Sequence, residues 1–166
     1  MITLLALLSF AGLLLWAAAA DIATMEIPNR ISILAACLYP VAALALGDTW
    51  QAIAAHLATG AGALLLAYIL FSIGVFGGGD AKMIAAAAIW TGPLVFMQFL
   101  FFTALAGGLL TVTVLATRGV LRPADSRPSF MNRLLQPAGG VPYAVAIAAG
   151  GMAVLLQLPL AQHLGT

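Results

Sequence analysis

"MITLLALLSFAGLLLWAAAA", residues 1–20, is an apolar run without a charge. A helix of about 20 residues reaches across the ~30 Å hydrocarbon core of a bilayer. The run ends in small residues, as a secretory leader does, but no Lys or Arg precedes it and a leader carries a positive first segment. It reads as a first membrane helix that is retained. The rest of the chain agrees. Of 166 residues, 64% are hydrophobic and 7% charged, and the mean hydropathy is +1.14. A soluble domain needs about 25% charged residues to cover its wetted surface. The composition therefore excludes a soluble fold and requires an integral membrane protein. A net charge of +1 supplies no basic field for nucleic acid. The single cysteine, Cys37, has no partner for an internal disulfide and reads as a small buried hydrophobe.

Outward from residue 20, apolar runs alternate with Pro, Gly and charge. Membrane helices are expected over about 2–20, 31–46, 52–75, 80–90, 94–117 and 141–160. The expectation is an all-α bundle of six transmembrane helices in one integral-membrane domain, residues 1–166. The fourth helix is short, about 16 Å from residue 80 to residue 90, and "TGP" at Thr91–Pro93 breaks it. Arg30, Lys82, Arg118, Arg122, Arg127 and Arg133 all fall on one side of that arrangement. The positive-inside rule makes this the cytoplasmic side and places both termini outside.

Five acidic residues remain to be placed. Asp48 and Asp125 read as solvated loop residues. Asp21 closes the first helix and Asp80 opens the fourth, with two crossings between them, so both lie at the same face. Ionisable groups at membrane depth are costly and usually functional. Two carboxyls a few ångströms apart do not both ionise readily and share a proton. One then takes a proton from water while the other protonates a carbonyl oxygen or leaving amine, which hydrolyses an amide without a metal or a covalent nucleophile. In "FGGGDAKM", residues 76–83, Gly77, Gly78 and Gly79 leave room for a substrate backbone and permit positive φ. The plainer reading is a glycine turn with Asp80 as helix N-cap. A small transporter or channel, using both aspartates for a proton or cation, is a rival from another class. A non-catalytic assembly factor is a third reading.

These residues carry a resemblance. "GGGD", Gly77–Asp80, resembles the GxGD motif of intramembrane aspartic proteases. "DIATMEIPNRIS", from Asp21, is similar to the first-aspartate motif of the type IV prepilin peptidases. "VPYAVAIAAG", from Val141, resembles that family's last-helix motif. The resemblance implies a peptidase that removes the leader from prepilin or pseudopilin helices at the cytoplasmic face of a bacterial inner membrane. Asp21 and Asp80 would be the catalytic pair, with a glycine just before the cut. It implies the short, peptidase-only form that serves Flp-type pili, without the zinc-binding cysteine domain or the S-adenosylmethionine-dependent methylation of longer relatives. Neither cofactor nor metal is expected. The partners would be membrane lipid and pilus-assembly machinery. Archaeal preflagellin peptidases are similar in size and remain an alternative.

The other polar residues read as follows. Glu26 either touches a positively charged leader or pairs with Arg30. Lys82 either acts beside Asp80 or snorkels to the interface. Asn29 is a candidate N-cap after Pro28. Pro142 and Tyr143 pack near the site, His56 is structural without a partner, and His163 is a solvated tail residue. The arginines of the last loop hold topology and meet anionic lipid.

Overall fold

A computed structural model describes residues 1–75, 77–121, 123, 128–136 and 139–164. Among these described residues six α-helices follow in order: α1 Ile2–Thr24, α2 Asn29–Ala45, α3 Trp50–Ser72, α4 Gly78–Val120, α5 Ser129–Leu135 and α6 Ala144–Ala153. Two 3₁₀ segments, Leu155–Gln157 and Pro159–Leu164, close the chain. No strand occurs among the described residues. Helices α1, α3 and α4 are long and apolar enough to cross a membrane, and α2 and α6 are shorter apolar helices. The chain is a multi-pass membrane protein.

Helix α4 is not straight. Gly92 has φ 59 and ψ −175, a left-handed value that a side chain disfavours, and Pro93 follows. A straight helix would carry residue 107 about 40 Å from residue 80. Yet Tyr143 lines a cavity with Asp80, and its ring also fills the space beside Gly107. The chain therefore doubles back at Gly92. Residues 78–91 form a first arm of about 21 Å and residues 93–120 a second arm of about 42 Å. The expected segments 80–90 and 94–117 correspond to these arms.

The first arm packs on α3, and the second on α6, which also contacts α1. Phe10, Leu14, Met83, Trp90, Phe99 and Ile147 are fully buried between them. Phe10 stacks on Trp90 with centroids 4.4 Å apart, and the Trp90 indole N–H donates to the Ala35 carbonyl at 2.8 Å. Without water to squeeze out, helices in lipid adhere through close contact, which small residues permit. Gly60 lies against Ile89 and the Ala85 carbonyl, and Gly150 against Thr103. Large side chains such as Leu94, Phe101, Leu105 and Leu109 face outward.

Several expectations need correction. Residues 141–160 are not one helix, because only Ala144–Ala153 is α-helical. Leu158 is extended before Pro159, as the proline ring requires, and the flanking turns are 3₁₀. Part of the polar stretch folds as α5, which buries Leu135. Cys37 is exposed rather than buried, on the outer face of α2. His163 is not a free tail residue: its Nε2 lies 3.0 Å from Asp48 Oδ1 and ties the C-terminal segment to the loop between α2 and α3. His56, expected to be structural and without a partner, is buried and has partners. Its Nδ1 meets the Ile89 carbonyl at 2.7 Å, and its ring stacks on Tyr39. Arg122, Asp125 and Arg127 lie outside the described residues.

Candidate active site

The helix that begins the chain runs past its expected end, so Asp21 sits inside the last turn of α1 and is buried. Met25 stops that helix in the left-handed conformation, φ 58, with its N–H on the Asp21 carbonyl at 2.8 Å. The Asp21 side chain reaches across to α6. Its Oδ2 accepts a hydrogen bond from the Ala144 backbone N–H at 2.9 Å. Ala144 is the first residue of α6, where helical N–H groups lack partners within the helix and the dipole favours a carboxylate.

Asp80 stands in the first turn of α4, three residues beyond the cap. The cap is Gly77, not Asp80, which corrects the capping expectation. The Asp80 carboxyl folds back over Gly77, where an added Cβ would lie 2.8 Å from Oδ2. The three glycines do not supply positive φ as expected. Gly77 has φ −72, Gly78 and Gly79 are helical, and the left-handed glycine of this turn is Gly74, φ 76. What they supply is space. Gly77 admits the Asp80 carboxyl, Gly78 admits the Phe71 ring, and Gly79 admits Ile27.

Asp21 and Asp80 line one cavity of about 430 Å³, together with the loop 25–29 and Gly77, Gly78 and Gly79. A second cavity of about 460 Å³ also borders Asp80 and Gly77, walled by Val75, Gly140, Val141 and Tyr143. Asp80 thus borders two cavities.

The remaining candidates divide. Glu26 lines the carboxylate cavity. Among the described residues it forms no ion pair with Arg30, whose guanidinium lies 5.3 Å above the Trp16 ring. Lys82 is not on the carboxylate cavity. Its Nζ donates to Asn29 Oδ1 at 2.9 Å, at one end of an apolar groove of about 480 Å³ between α2, α3 and the first arm of α4. Asn29 is the first helical residue of α2 and makes no side-chain cap; it borders both groove and cavity. No three His, Cys, Asp or Glu side chains converge for a metal among the described residues. Residue-type reasoning missed the Ala144 N–H, because a backbone donor leaves no mark in sequence. It also missed Arg118 and Arg133, which turn inward onto backbone carbonyls.

A multi-pass helical protein with two helix-end carboxylates on one cavity belongs to a narrow class of membrane proteins. The sequence pattern of the type IV leader peptidase family matches residues 8–112, and the chain belongs to that family of peptidases. The match includes both aspartates and ends in the second arm of α4. No curated protein and no solved structure matches the chain.

Proposed function

We propose that the chain is an aspartic endopeptidase that removes the N-terminal leader of a Flp-type prepilin, with Asp21 and Asp80 as the catalytic pair. The observation that carries this reading is the shared cavity of the two carboxyls in a member of a leader peptidase family. Water held between them loses a proton to one carboxylate and adds to the scissile carbonyl. The other carboxyl protonates the carbonyl oxygen; the first, now carrying the proton from water, passes it to the leaving nitrogen as the C–N bond breaks, and the pair regains a shared proton from the collapsing diol. The Ala144 N–H occupies one oxygen of Asp21, fixes the side chain, and leaves the other oxygen for the water. Gly77 and Gly79 present backbone rather than side chains to the cleaved segment. The proposed arrangement has six crossings, with the arms of α4 counted separately, both aspartates at the cytoplasmic face of a bacterial inner membrane, and both termini outside.

The substrate arrives as a membrane helix. The apolar groove beside the cavity, floored by Ala85, Ala86 and Ile89, suits such a helix, and Asn29 joins groove to cavity. Glu26, at the cavity rim, suits a positively charged leader. A transporter would carry its acids near the bilayer midplane; here they lie in the last turn of α1 and the first turn of α4. Co-expression with a Flp-type pilin precursor tests the proposal. Mass spectrometry is expected to find the precursor shortened to the residue after a glycine just before its apolar helix. A precursor that stays intact beside well-inserted protein refutes it.

A further inference from the structure

We infer that Arg118 is a positioning residue for the carboxylate pair: its guanidinium clamps the backbone that walls the Asp80 cavity and leads into the N–H held by Asp21. The inference rests on Asp21 and Asp80 being the reacting groups. Arg118 lies in the last turn of α4 and is partly buried. A cation there commonly faces the carbonyls that end its own helix or the lipid headgroups. This one donates to another segment. Its Nε reaches the Leu134 carbonyl at 2.6 Å, and its Nη2 reaches the carbonyls of Gly139 at 2.7 Å and Gly140 at 2.9 Å.

The clamped chain runs straight into the site. Gly140, Val141 and Tyr143 wall the Asp80 cavity, and Ala144 holds Asp21 Oδ2. Gly139 has no room for a Cβ here: one would lie 2.5 Å from the Arg133 carbonyl, 3.0 Å from the Gln136 carbonyl and 3.3 Å from Arg118 Nη2, so the turn after α5 packs close enough for the fork to reach it. Arg133 adds a second tie. Its Nη1 donates to the Ala23 carbonyl at 3.0 Å, two residues beyond Asp21. The end of α4, helix α5 and the end of α1 are thereby joined through two guanidinium groups.

A rigid planar fork with several donors makes this clamp, and a lysine ammonium on a flexible stem does not reproduce it. Topology and lipid attraction ask only for positive charge. Arg118→Lys therefore separates the two roles. In reconstituted vesicles with a Flp-type pilin precursor, Arg118→Lys and Arg118→Ala are expected to lower kcat roughly tenfold to a hundredfold, as a misplacement near 1 Å does, and to leave KM within about twofold. Added guanidinium is expected to restore part of the Arg118→Ala rate and none of the Asp21→Asn rate. Hydrogen exchange at the Ala144 amide is expected to quicken about tenfold in Arg118→Lys, the loss of one net hydrogen bond. Wild-type kcat in Arg118→Lys overturns the inference, as does unchanged exchange at Ala144. So does failure of Arg118→Lys to accumulate as folded protein, which would make the position one of folding alone. Wild-type protein that cleaves no precursor refutes the proposed function instead, and the exchange measurement still decides the clamp.

Discussion

Replacing Gly77 by alanine puts a methyl group where the Asp80 carboxyl lies. The new Cβ would stand 2.8 Å from Asp80 Oδ2, against an ordinary contact of 3.4 Å or more. The carboxyl must withdraw by about 0.6 Å, because the backbone at a helix start yields less readily than a side-chain end. A displacement near 1 Å in a reacting group costs up to about a hundredfold, so Gly77→Ala is expected to lower kcat by roughly tenfold to a hundredfold. The fold loses little, since Ala for Gly at a helix N-cap costs about 1 kcal/mol or less. Two companion variants give the scale. Gly79→Ala would meet Ile27 Cβ at 3.2 Å and lead to a smaller loss, because Ile27 lies in a loop that can yield. Gly62→Ala meets nothing within 4 Å and leaves cleavage unchanged. The assay is the rate of leader removal, followed by mass spectrometry, with melting measured on the same samples. If Gly77→Ala cleaves at the rate of Gly62→Ala, the position of Asp80 over Gly77 is not the one used in catalysis.

Three further outcomes are expected. Gly92→Ala forces a side chain into φ 59 against the His56 ring, so it is expected to lower stability by roughly 2 kcal/mol or more, read as a lower melting temperature. Ala61→Trp fills the groove between α2 and α3; it is expected to raise KM for a full pilin precursor and to leave cleavage of a short leader peptide unchanged. Asp48→Asn removes the charge opposite His163 at the half-exposed end of the chain and costs about 1 kcal/mol or less in thermal unfolding.

That Asp21 and Asp80 share one cavity was legible because crossings can be counted: the two apolar runs between them, 31–46 and 52–75, return the chain to the same face. The turn at Gly92 was legible too, since a glycine before a proline inside an apolar run has few other uses. What stayed hidden depends on direction within the membrane. In lipid, inward and outward surfaces are both apolar, so periodicity did not tell that Cys37 faces outward or that α6 stops after ten residues. Arg118 was visible only as a charge. Its three carbonyl partners lie 16 to 22 residues away and are backbone atoms, which no residue pattern marks. The glycines before Asp80 showed a need for space, but what fills it, the Asp80 carboxyl, Phe71 and Ile27, became clear only in three dimensions.

The central claim is that Asp21 and Asp80 together cut the leader. The most direct measurement is the mass of a co-expressed Flp-type pilin precursor beside wild-type protein, Asp21→Asn and Asp80→Asn, each verified as inserted. The account predicts mature pilin with the wild type and intact precursor with both variants. Mature pilin formed at the normal rate by either variant would contradict it.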